Sequence, residues 1–105
     1  MKVAAIQMVS GTSLDSNLAQ AHQLLDQARH VGAELAVLPE YFCLMGRHDA
    51  DKLLIAEQPG LGTVQDFLSD TARELGMWIV GGTVPLATDD PQRAANASLV
   101  YDPQG

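Results

Sequence analysis

The chain has 105 residues, room for one small domain and not for two. Thirteen acids against six bases leave a net charge of −7, which argues against nucleic acid or an anionic membrane as the main partner. An apolar share of 47 % fits a globular core rather than disorder, and a single cysteine excludes an internal disulfide and fits a reducing compartment.

Residues 2–8, KVAAIQM, predict a first strand. They lack the shape of a secretory signal, and no apolar run approaches the roughly 20 residues that span a bilayer, so a cytoplasmic protein is expected. From Leu14 the spacing changes: Leu14, Leu18, Ala21, Leu25, Ala28 and Val31 recur at three and four residues and form one helix face. Ser13 or Asp15 can cap its start, and Gly32 stands where a left-handed residue would end it. The run Leu35 to Leu38 is continuously apolar, as in a strand covered on both faces. Strand, helix and strand in this order predict a βαβ unit.

Residues 49–58, DADKLLIAEQ, fit a short helix, and Pro59, Gly60 and Gly62 punctuate a loop. Thr63 and Asp66 have capping-box spacing. Val64, Phe67, Leu68, Thr71 and Leu75 form the next helix face, ended by Gly76. Residues 77–86, MWIVGGTVPL, predict a strand with a bulge or a close backbone approach at Gly81-Gly82. Trp78 is expected in the core of that strand. A polar loop leads to a last strand over 95–101, ANASLVY. Asp102-Pro103-Gln104-Gly105 then fits a type I turn, which after an alternating strand predicts a hairpin and hence a longer fold. The expected order is β-α-β-(α)-α-β-β, a single α/β unit.

In open α/β sheets, ligands gather at the carboxyl ends of parallel strands. Glu40 lies just beyond such an end, between Pro39 and the apolar stretch Tyr41-Phe42-Cys43-Leu44-Met45. A carboxylate held in an apolar wall can act as a general base, because burial raises a carboxyl pKa toward working pH. Glu40 is therefore expected at least partly buried, facing a pocket; the plainer reading is a solvated loop acid. Cys43 is the only thiol. A nucleophilic thiol needs a base and a cation or helix N-terminus, and Arg47 and Lys52 are not obviously placed to help. A packed, inert Cys43 out of reach of Glu40 is the expectation. His48, Asp49 and Asp51 read as a solvated loop rather than a metal site, and His22 and His30 as surface residues. No phosphate-binding loop occurs, so no cofactor is expected.

Taken together, KVAAIQM, Asp15 with Asn17-Leu18, GAELAVLPEYF (32–42), Thr71 to Gly76, WIVGGTVP, Asn96 and LVYDPQG resemble the nitrilase superfamily of carbon–nitrogen hydrolases, over essentially the whole chain. The flavour is similar to the amidase branch with ω-amidase-like and deaminated-glutathione-amidase-like enzymes. The resemblance implies a four-layer α-β-β-α sandwich that usually dimerises, of which this chain would be the N-terminal portion. It also implies hydrolysis of a small amide, or a nitrile, by a Glu–Lys–Cys triad through a thioester. Glu40 matches the general base. The family lysine and cysteine would lie beyond Gly105; Lys2, Lys52 and Cys43 do not match them. The isolated chain is then expected to be inactive and marginal or associating in solution. Two alternatives stand beside this reading. One is a non-catalytic α/β module that pairs with a partner chain. The other is a different hydrolase using Cys43 with Glu40.

Overall fold

The computed structural model describes residues 1–105, the side chain of Asp49 excepted. Strand β1 (Val3–Ala5) leads through helix α1 (Leu14–His30) to β2 (Leu35–Val37). A 3-10 helix (Asp49–Leu54), helix α2 (Thr63–Leu75) and strands β3 (Trp78–Val80), β4 (Val84–Ala87), β5 (Ala94–Ala97) and β6 (Val100–Tyr101) follow. The main sheet has the order β1-β2-β3-β6, with the first three strands parallel and β6 antiparallel to β3. Strands β4 and β5 form a separate antiparallel pair. The expected βαβ unit is present, with α1 as the crossover between the parallel β1 and β2.

The helices form where apolar spacing and end signals agree. The Ser13 hydroxyl caps α1 by accepting the Ser16 N–H at 3.3 Å, and Gly32 closes it at φ 93°. The helix buries Ala21, Leu25 and Ala28 together with Asn17, while Leu14 and Leu18 are half-buried and Val31 is exposed. Helix α2 buries Val64, Leu68 and Ala72 and ends at Gly76 in the left-handed region. Its start differs from expectation. Gly62, not Thr63, is the capping residue, and no capping box forms with Asp66. The carboxylate of Glu57 does the work from outside the helix, accepting the Val64 N–H at 2.6 Å and the Gln65 N–H at 3.1 Å. A negative charge over the Val64 and Gln65 N–H groups satisfies them and complements the helix dipole, and the Gly62 carbonyl takes the Asp66 N–H at 2.8 Å, so the Thr63 hydroxyl has no such donor to accept.

The two long strands expected over 77–86 and 95–101 are each broken in two. Val80 pairs with Val100, but Val84 pairs with Ala97, so three residues (81–83) oppose two (98–99). This is a β-bulge, and it carries the ribbon from the main sheet to the β4–β5 pair. Gly82 sits there at φ 57°.

Register sorts the main sheet into two faces. Ala4, Ala36, Ile79 and Tyr101 share one face and join the helices in the core with Leu38, Phe42 and Met77. Val3, Leu35 and Trp78, then Ala5, Val37, Val80 and Val100, share the other. On that second face Val3, Val37, Trp78 and Val100 are exposed, so Trp78 is not the core residue expected of it. Both helices pack on the opposite side, and a β-strand residue changes face with every step. Among the described residues no helix is long and apolar enough to cross a membrane.

Candidate active site

The parallel strands end together at one edge. Leu38 continues β2 by donating its N–H to the Val80 carbonyl at 2.9 Å, and Ile6 continues β1 by donating to the Val37 carbonyl at 2.9 Å. Pro39 then turns the chain, because its fixed φ and missing N–H cannot extend the ladder. The Phe42 N–H closes a turn onto the Pro39 carbonyl at 3.2 Å. Glu40 and Tyr41 are its central residues, and Tyr41 takes φ 55°. That conformation suits glycine or asparagine; in other residues it costs on the order of 1–2 kcal/mol.

Two structures hold this turn in place. On one side is the bulge. A Cβ on Gly82 would overlap the Pro39 carbonyl, so only glycine allows the two backbones to meet. The next residue, Thr83, accepts the Tyr41 N–H on its hydroxyl at 2.9 Å. On the other side is Asn17, 3 % exposed, which accepts the Gly11 N–H and donates to the Gly11 and Cys43 carbonyls at 2.8–2.9 Å. The Ser10 hydroxyl donates to the Phe42 carbonyl at 3.0 Å, and the Met45 N–H to the Gly11 carbonyl at 3.0 Å. The residue pattern alone does not announce the Asn17 contacts, because one of them joins segments 26 residues apart.

Glu40 projects from the turn at the carboxyl edge, where a site was expected, but it is exposed rather than partly buried. Phe42 takes the inward direction and is fully buried, while Glu40 is left on the exposed side of the turn. The burial invoked for a base is thus not supplied by residues 1–105. Cys43 is 1 % exposed, and burial pushes its thiol up to about 11. Among the described residues it makes no hydrogen bond to Glu40. Buried and without a hydrogen bond to Glu40 among the described residues, Cys43 has neither the access nor the base that a nucleophilic thiol needs, which argues against a Cys43–Glu40 catalytic pair.

A cleft of about 150 Å³ opens beside the turn, lined by Tyr41, Leu44, Met45, Arg47, His48 and Lys52. The Lys52 ammonium lies 5.7 Å from the Tyr41 ring centre, a cation–π contact. Asp51 accepts the Arg47 and His48 N–H groups at 2.8 and 3.1 Å. It therefore shapes this loop, and the part of the His48–Asp51 cluster that involves Asp49 lies outside the described residues. His30 is exposed as expected, whereas His22 is half-buried and meets Glu74 at 3.2 Å, linking α1 to α2.

The carbon–nitrogen hydrolase profile matches residues 2–105. The chain is 34 % identical over 104 residues to the deaminated glutathione amidase of Yersinia enterocolitica, covering 98 % of this chain and 36 % of that protein. It is 31 % identical over 104 residues to omega-amidase NIT2 of Danio rerio, covering 99 % and 36 % respectively. Its fold superposes on Nit3 of Saccharomyces cerevisiae, a member of branch 10 of the nitrilase superfamily, with a TM-score of 0.84 and 25 % identity, over 100 % of this chain and 41 % of that one. The chain thus spans little more than a third of the length of these relatives, and the α/β architecture is that part of the nitrilase fold. With the profile running from Lys2 to Gly105, the chain belongs to the carbon–nitrogen hydrolase family.

Proposed function

We propose that this chain is the N-terminal, base-bearing portion of a cytoplasmic amidase that hydrolyses a small non-peptide amide, with Glu40 as general base. The observation that carries the reading is the position of Glu40: it projects from a clamped turn at the carboxyl edge of three parallel strands. The lysine and the nucleophilic cysteine that the family resemblance implies belong to the rest of the enzyme. Glu40 takes the proton of that thiol as its sulfur bonds to the amide carbon. The C–N bond then breaks, and the amine leaves with the proton from Glu40. Water attacks the thioester, gives a proton to Glu40 and releases the acid; the proton returns to the sulfur. The remainder of the enzyme would have to cover Glu40, and a homo-oligomer is part of the proposal. Arg47 and Lys52 line the adjoining cleft without a carboxylate partner among the described residues, which favours an amide that also carries an acid group.

Replacing Glu40 with Gln in the full-length enzyme tests the reading. Turnover should fall by about 10²- to 10⁴-fold with the fold intact, since the amide keeps the shape but accepts no proton. Near-normal turnover removes Glu40 from the mechanism. The bare apolar sheet face supports the second reading, a non-catalytic module seated on a partner chain. An in-frame stop directly after Gly105 in the gene would favour it over the enzyme.

A further inference from the structure

We propose that Thr83, seated by Gly82 on the bulge between β3 and β4, is the positioning residue for Glu40. The proposal rests on the reading of Glu40 as general base. Among the described residues Tyr41 is the one non-glycine with a positive φ, and it directly follows Glu40. Such a conformation persists only where the surroundings over-determine it, and such places cluster at functional sites. Here the surroundings are identifiable. The Thr83 hydroxyl holds the Tyr41 N–H at 2.9 Å across 42 residues of sequence, so the bond is no local consequence of the turn. Gly82 admits the Pro39 carbonyl where any Cβ would overlap it. The bulge is what aims Thr83. Side chains alternate along a strand, so without the extra residue in 81–83 the hydroxyl would face the other way. Fixing the Tyr41 N–H and the Pro39 carbonyl fixes the backbone on both sides of Glu40, and with it the direction of the Glu40 Cα–Cβ bond. A base must lie within hydrogen-bond reach of the proton it takes, and a misplacement of about 1 Å can cost about a hundredfold in rate.

The test compares Thr83→Val, which keeps the shape and loses the acceptor, with Thr83→Ser, which keeps the acceptor, in the full-length enzyme. Ammonia release from a panel of short aliphatic amides that carry a carboxylate gives kcat and KM; hydrogen exchange reports the Tyr41 amide. For Thr83→Val the expected result is a kcat lowered about ten- to hundredfold with KM within about twofold, and at least about tenfold faster exchange at Tyr41. Thr83→Ser should restore both, and the melting temperature should stay close to that of the parent. Wild-type kcat in Thr83→Val, a loss that Ser does not restore, or unchanged exchange at Tyr41 overturns the proposal. An inactive Glu40→Gln beside a fully active Thr83→Val would sink the positioning role alone. A fully active Glu40→Gln would sink the base, and the positioning role with it.

Discussion

Asn17 spends its amide on three backbone groups that belong to two different loops. Replacing it with Leu leaves the Gly11 N–H and the Cys43 carbonyl without this partner, at about 1–3 kcal/mol for each one that water cannot reach, while the Gly11 carbonyl keeps the Met45 N–H. The Cys43 carbonyl partner is buried and Gly11 is exposed, so a loss of about 2–3 kcal/mol in urea unfolding is expected. Cys43 itself makes a pH-dependent contribution. Its thiol is raised from 9.0 to about 11, chiefly by burial, so the folded state holds the proton more tightly than the unfolded state. The stability tied to this thiol is therefore fully present below about pH 9 and falls as the pH climbs toward 11. Comparing unfolding of the parent and Cys43→Ala across that window should show a steeper loss in the parent. Iodoacetamide should label Cys43 slowly at pH 7.5 and rapidly in urea; rapid labelling of the folded protein would contradict its burial.

At the level of elements, the start of α2 depends on a residue five positions before its capping glycine. Glu57→Ala should cost about 1–2 kcal/mol in thermal or urea unfolding, whereas Thr63→Ala and Asp66→Ala should cost much less. Equal losses from all three would restore the capping box. The sequence shows Thr63-x-x-Asp66 plainly, yet the rival acceptor arrives through the bridge that Glu57 makes with Leu86 on β4. The bulge teaches a related lesson. Gly81-Gly82 announces a bulge or a close approach, and both occur, but nothing in the residue pattern says that the approaching backbone is Pro39. Gly82→Ala should destabilise the protein by more than the roughly 1 kcal/mol of an ordinary Gly→Ala change, because strained φ and overlap with Pro39 add.

The whole molecule has one apolar face packed and one bare. Val3, Val37, Trp78 and Val100 form a patch of a kind that soluble monomers rarely leave open. The 105-residue chain alone should therefore associate or melt without a sharp transition. Size-exclusion chromatography with urea titration checks this: a clean monomer with a steep transition would overturn it. Trp78→Lys with Val100→Lys should restore a monomer if the patch drives association. The sequence by itself determined the α/β class, the βαβ unit, the helix ends at Ser13, Gly32 and Gly76, the Asp102–Gly105 turn and the place of Glu40 at a strand end. These follow from short-range rules: apolar period, capping residues, and the conformational limits of glycine and proline. Tertiary structure alone decided that Trp78 faces out, that two long strands break into four, that Glu57 displaces a local cap, and that Asn17, Gly82 and Thr83 hold the Glu40 turn. Each of those depends on a contact between segments distant in the chain, and hydrophobic period carries no record of which distant segment will arrive. The exposure of Glu40 has the same cause, because cover for a strand end must come from elsewhere in the fold.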